Sequence, residues 1–155
     1  MPEYAKLEEV RQEFLDRAFR VVWCSVSTVD TKGRPRARIL HPYWEPDLTG
    51  WVGTWRDSPK AKHLAGNPYV SVAYIAEVFK PCYAECIAEW DDSLETKQRV
   101  HELFKNAPAP MGYDTTQIFG PVDNPRFGIL KLKPYQLEVS TFPGPHVVWR
   151  ADRGE

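Results

Sequence analysis

The spacing of apolar residues changes period several times along the chain, and each change marks an element. From Met1 to Arg20 the apolar positions Leu7, Val10, Phe14 and Ala18 recur at near-helical intervals among Glu, Arg and Asp. That pattern predicts an amphipathic helix. The period then drops to two: Val22, Cys24, Val26 and Thr28 would line one face of a strand over Val21–Thr28. Asp30-Thr31-Lys32-Gly33 is a turn signal, so this strand should form a hairpin with a second run, Arg34–Trp44. Pro42 in that run marks a strand end or an unpaired edge position. Pro46–Gly50 turns the chain into Trp51–Trp55, and the three runs read as a β-meander.

Arg56-Asp57-Ser58-Pro59-Lys60 has the order of a helix start, with Ser58 at the N-cap and Pro59 at the first helical position. Ala61, Leu64 and Ala65 supply an apolar stripe, Gly66 suits the residue after the last turn, and Pro68 stops continuation. Strands are expected at Tyr69–Ala76 and Cys82–Trp90. Asp92 or Ser93 should cap a helix whose apolar side is Leu94, Val100, Leu103 and Phe104 and whose other face is charged and solvated. The stretch from Asn106 to Pro125, rich in Pro, Gly and Asn, reads as a long surface loop. Two further strands, Arg126–Leu132 and Tyr135–Thr141, are expected on either side of Pro134, and the tail from Phe142 to Glu155 holds a short Val147-Val148-Trp149 run. Roughly seven short strands with a few peripheral helices predict a mainly β fold, a closed or partly closed antiparallel β-barrel. No repeat or linker interrupts the 155 residues, so the expectation is one domain over 1–155.

Composition narrows the function classes. A formal net charge of -1 argues against a dedicated nucleic-acid surface. No apolar run approaches membrane-spanning length, and the charged N-terminal segment is unlike a signal peptide, so a cytoplasmic protein is expected. Cys24, Cys82 and Cys86, an odd count of three, read as small buried thiols, with no zinc-site spacing and no metal site expected. Six tryptophans and seven tyrosines are more aromatic surface than one small core buries comfortably. A dimer interface or a planar ligand would use the surplus.

The candidate chemistry lies between Gly33 and Pro68. Arg36 and Arg38 share one face of their strand, by simple alternation. Downstream, the first turn of the Ser58-Pro59 helix offers unpaired N–H groups and partial positive charge. Lys60, Arg56 and the hydroxyls of Ser58 and Thr54 would add donors, which makes the turn a candidate phosphate site. His41 and His63 are candidate proton donors, though a single histidine on a strand or helix is structural by default.

Gly-Arg-Pro-Arg-Ala-Arg-Ile-Leu at 33–40, Gly-Thr-Trp-Arg-Asp-Ser-Pro-Lys-Ala-Lys-His-Leu at 53–64 and Asn-Pro-Tyr-Val at 67–70 resemble the pyridoxamine 5′-phosphate oxidase-like family, over about Val21 to Ile75. The resemblance implies a split β-barrel that dimerises and binds FMN at the dimer interface. It implies that the arginine-bearing strand lies along the flavin while a Thr and a Ser-x-Lys turn hold its phosphate. The matching positions here are Arg38, Ile39, Leu40, Thr54, Ser58 and Lys60, with Arg36 a neighbour that fits the charge logic. Trp55 could stack on the isoalloxazine ring or pack the core.

The chain departs from the family pattern at Pro59, where the oxidases often carry a second basic residue, and it lacks their C-terminal arginine motif for the pyridoxal substrate. Trp149 and Arg150 are candidates for a lesser part there. The resemblance therefore implies the cofactor rather than the vitamin B6 reaction: an FMN-dependent oxidoreductase acting on a small molecule, as a homodimer. A deazaflavin coenzyme in the same groove, or a flavin-binding module without turnover, are the alternatives. A flavin carries its own redox chemistry, so no protein nucleophile or acid–base pair is required.

Overall fold

A computed structural model describes residues 1–153, in which one large sheet carries helices at its periphery. In chain order the elements are β1 (Glu3–Tyr4), α1 (Leu7–Val21), β2 (Cys24–Val29), β3 (Pro35–Leu40), β4 (Tyr43–Trp44), β5 (Gly50–Trp55) and α2 (Pro59–Gly66). They continue with β6 (Tyr69–Ile75), β7 (Pro81–Trp90), α3 (Leu94–Asn106), α4 (Thr116–Phe119), β8 (Phe127–Ser140) and β9 (His146–Arg150). The strands run β1-β9-β8-β7-β6-β2-β3, and β5 adds to β8 with β4 on its far side. All pairs are antiparallel except β1 with β9. The sheet does not close, which makes it the split barrel that the sequence led us to expect.

The hairpin between β2 and β3 turns at Asp30–Gly33. Gly33 has φ 77° there, a conformation that favours glycine. The Asp30 carboxylate accepts from the Lys32 and Arg34 amides and from the Arg34 guanidinium, closing the turn. The expected Arg34–Trp44 strand is broken: β3 ends at Leu40, and Tyr43–Trp44 pairs separately with Gly50–Trp51. Pro42 is the reason, since its ring nitrogen cannot donate to a ladder.

Pro134 does not separate two strands as expected. β8 runs 14 residues straight through it. The register shifts between Glu85 and Cys86, where Cys86 faces Pro134 and Glu85 faces Gln136, leaving Tyr135 unpaired. A bulge absorbs the missing N–H and the strand continues. At the N-terminus the helix starts only at Leu7, because Glu3–Tyr4 is drawn into parallel pairing with Val147–Val148.

The main core lies where α1 packs on the sheet. Phe14 sits edge-on to Trp44 at 5.3 Å and to Tyr74 at 6.2 Å, and the Trp44 indole donates to the Tyr74 hydroxyl at 2.9 Å. Burial pushes the Cys24 and Cys82 thiols up to about 12 and Cys86 in the same direction, so all three are protonated, inert core thiols near neutrality.

A second core of Trp51, Val100, Phe104, Phe119, Phe127 and Ile129 lies under the 106–125 segment. That segment is not a free surface loop. It contains α4, buries Met111, Thr115 and Phe119, and is tied to α3 by a 2.6 Å bond between His101 Nδ1 and Thr115 Oγ1 and by Lys97 donating to the Asn124 carbonyl. The second core also absorbs much of the aromatic surplus, and Trp23 is the tryptophan that remains largely exposed. No helix among the described residues is long and apolar enough to cross a membrane.

Candidate functional site

Two concavities lie side by side along β3, and between them they collect most of the residues singled out from sequence. The larger is a cleft of about 480 Å³. Ile39, Leu40 and His41 form one wall, Gly53, Thr54 and Trp55 of β5 another. Tyr113, Ile118 and Phe119 close it from the 106–125 segment. None of the residues lining it carries a formal charge unless His41 is protonated. Burial holds the His41 imidazole below its usual range, so it is neutral near pH 7 and offers hydrogen bonds rather than charge. Its Nε2 lies 3.0 Å from Met111 Sδ, and its ring lies 5.0 Å from Tyr113 and 5.2 Å from Trp23. Tyr113 and the aromatic wall had no signal in the sequence reading, because the segment that carries them reads as a loop.

Trp55 packs against the second core and also borders the cleft. Its ring packs edge-on against Phe119 at 4.9 Å and lies under the Arg126 guanidinium at 4.9 Å, while part of it lines the cleft. The cleft rim also holds backbone strain. Val22 has φ 67° and ψ −62°, with the Trp23 amide bonded back to the Val21 carbonyl at 2.8 Å. A β-branched residue with positive φ is strained, and such turns are found where the surrounding structure holds them. Here the turn ends α1 and sets Trp23 beside His41.

The smaller concavity is a basic notch lined by Val26, Thr28, Arg36, Arg38, Lys60 and His63, together with Pro59. Register explains it. Arg36 faces Thr28 and Arg38 faces Val26 across the β2–β3 ladder, so both arginines share the face on which α2 packs. At about 20 Å³ the notch holds no large group. Lys60 is held below its usual range, first by burial and then by the positive charge of Arg38. No carboxylate lines the notch. Asp57, the acid nearest in sequence, is bound to Arg126 at 2.9 Å and does not cap the helix.

Ser58 occupies the N-cap of α2 but makes no capping bond, and its Oγ is buried without a hydrogen-bond partner. A buried hydroxyl without a partner is uncommon, and the Trp90 indole N–H is the other such group among the described residues. Of the expected donors only Lys60 lines the notch: Ser58 lines neither concavity, Thr54 lines the cleft, and the fourth is Arg56. It turns to Asp92 at 2.9 Å and stacks on Trp90 at 4.5 Å, and it lines neither concavity. Trp149 and Arg150 line neither concavity as well, and Arg150 pairs with Asp152 at 2.7 Å.

No family model and no curated protein matches the chain. Solved structures do. A Clostridium acetobutylicum protein described as related to general stress protein 26 of B. subtilis, pyridoxinephosphate oxidase family, superimposes with TM-score 0.74 at 13% identity over 94% of this chain and 97% of that one. General stress protein 26 from Bacillus anthracis gives 0.67 at 15% identity over 84% and 92%. A pyridoxamine 5′-phosphate oxidase-related, FMN binding protein from Nostoc punctiforme gives 0.63 at 18% over 92% and 88%. At these identities the likeness is one of fold. The chain has the split-barrel architecture of the pyridoxamine 5′-phosphate oxidase-like proteins.

Proposed function

We propose that the protein binds FMN along β3 and works as a flavin-dependent oxidoreductase on a small molecule. The observation that carries this is the notch itself: Arg36, Arg38 and Lys60 converge without a carboxylate, next to a buried Ser58 hydroxyl that lacks a partner. Uncompensated positive charge and an orphaned donor fit a phosphate. The notch and the uncharged cleft share two stretches of chain, 36–40 and 54–60. At about 3.4 Å per strand residue, the step from Arg36 to Leu40 is roughly 14 Å, suited to a planar ring joined to a phosphate by a short flexible chain.

In this reading Arg36, Arg38, Ser58 and Lys60 hold the phosphate, while Ile39, Leu40, Thr54 and Trp55 border the ring. FMN, when bound, supplies the electron-transfer chemistry. The chain orients it, and Trp23, Tyr113 and Phe119 exclude water from the cleft. A volume of about 480 Å³ lies in the small-molecule range, and an uncharged aromatic wall suits a neutral substrate. The FMN binding named for the Nostoc punctiforme protein supports the same reading. We extend it to a homodimer, the assembly in which the exposed β3 edge would be covered.

The test is a pair of titrations, FMN and riboflavin, into wild type and Lys60→Ala. Charge-assisted bonds of about 1.5–3 kcal/mol predict a loss of roughly 10- to 150-fold for FMN and far less for riboflavin, which has no phosphate. Equal losses for both, or none for FMN, would place the phosphate elsewhere. The absorption spectrum of protein purified from its native host separates the cofactors: a flavin pair of bands for FMN, a single violet band for a deazaflavin. Bound flavin without turnover across a panel of donors and acceptors would leave a binding module.

A further inference from the structure

One polar pair in the notch is not used by the reading above. Thr28 is buried on β2, and its hydroxyl lies 2.8 Å from Nδ1 of His63 on α2. His63 stands three residues after Lys60, so the two share a helix face, and that face lines the notch with Arg36 and Arg38. Thr28 is also the register partner of Arg36. The hydroxyl therefore braces the imidazole from the sheet side. The other ring nitrogen, Nε2, has no hydrogen-bond partner among the described residues. We propose that His63, braced by Thr28, is a further grip on the phosphate and makes capture of the phosphorylated cofactor take up a proton. This rests on the phosphate reading of the notch.

The charges around the ring make the case. From β3 it is faced by Arg36 and Arg38, and from its own helix by Lys60; β2 contributes only the neutral Thr28. No acid lines the notch, and the two nearest along the chain are engaged elsewhere: Asp30 with Arg34 and Asp57 with Arg126. With no anion present, a fourth positive charge has nothing to answer it. A phosphate with close to two negative charges reverses that balance and favours the imidazolium. Thr28 accepts from protonated Nδ1 as readily as it donates to the neutral ring, so the brace survives the change. A Thr–His pair that merely joined α2 to β2 would be indifferent to whether the ligand carries a phosphate.

Calorimetric titration near pH 7.5, repeated in two buffers of different ionisation enthalpy, counts the protons taken up. At that pH the FMN phosphate is almost fully dianionic and contributes little of its own. Wild type should take up a large fraction of one proton with FMN and none with riboflavin. His63→Gln should abolish the uptake, weaken FMN about tenfold or more, and leave riboflavin unchanged. Thr28→Val should fall between the two. FMN binding to wild type without proton uptake would overturn the role of His63 and needs no variant. A kept FMN preference with the same proton balance in His63→Gln would also overturn it, leaving the phosphate site intact. Equal wild-type affinities for FMN and riboflavin would overturn the phosphate site, and the role of His63 with it.

Discussion

Lys60 is the residue at which fold stability and ligand binding pull in opposite directions. It is half-buried beside Arg38, and both circumstances disfavour its charge. A lysine held below its usual range in the folded state destabilises that state wherever it is charged. The penalty is complete at neutral pH and disappears as the pH rises through the lysine range. Lys60→Met should therefore raise the thermal midpoint of the ligand-free protein near pH 7. The advantage over wild type should narrow toward about pH 10–11, read from melts at a series of pH values. A lower midpoint for Lys60→Met at neutral pH would mean that the ammonium is already well compensated. The same substitution should reduce the preference for FMN over riboflavin, so the two properties would move apart in one variant.

At the scale of elements, α1 is anchored to the sheet by one arginine. Arg17 is 4% exposed, and its Nη1 donates to the carbonyls of Pro81 at 2.8 Å and Ser140 at 2.6 Å, while its Nε reaches Glu13 at 2.8 Å. It thus ties the helix to the start of β7 and the end of β8. Arg17→Met keeps much of the apolar stem and strands those carbonyls. A loss of about 2–4 kcal/mol in stability is expected, measured by urea unfolding, with flavin affinity unchanged at temperatures where the fold persists. A loss below about 0.5 kcal/mol would show that water replaces the guanidinium at both carbonyls. The anchor matters to the site because α1 ends in the strained Val22 turn that carries Trp23 to the cleft.

For the molecule as a whole, the open edge of the split barrel points to self-association. Every residue from Pro35 to Ile39 on β3 is exposed; Ile39 is 65% exposed and Trp23, which also lines the cleft, 57%. Arg36 and Arg38 alternate with the apolar positions, so charge guards one face of the edge and Ile39 lies on the other. Light scattering should return twice the 17.9 kDa chain mass. Ile39→Asp should shift the population toward monomer and weaken FMN and riboflavin alike, since the variant leaves the phosphate notch alone. A monomer mass for wild type across a wide dilution range would rule the dimer out. Surplus aromatic surface is a weaker argument for a dimer than the composition suggests, because the second core takes up Trp51, Phe104, Phe119 and Phe127 within one chain.

What the sequence by itself determined was local and periodic. Alternation put Arg36 and Arg38 on one strand face, Asp30–Gly33 announced the hairpin, and Ser58-Pro59 announced the start of α2. Each depends on neighbours a few residues apart, where backbone sterics decide. The direction of Arg56 could not be read this way, because Asp92 and Trp90, the groups that capture it, are more than thirty residues away. Nor could the bulge that lets β8 run through Pro134, since it depends on which residues of β7 lie opposite. The aromatic wall of the cleft was hidden in a segment whose Pro, Gly and Asn content reads as loop, and only packing on α3 gives it shape. The pairing of Thr28 with His63 belongs to the same class: 35 positions apart in the chain, they meet because α2 lies on β2. Short-range sterics are written in adjacent residues, whereas a site made by long-range register and packing exists only once the sheet has formed.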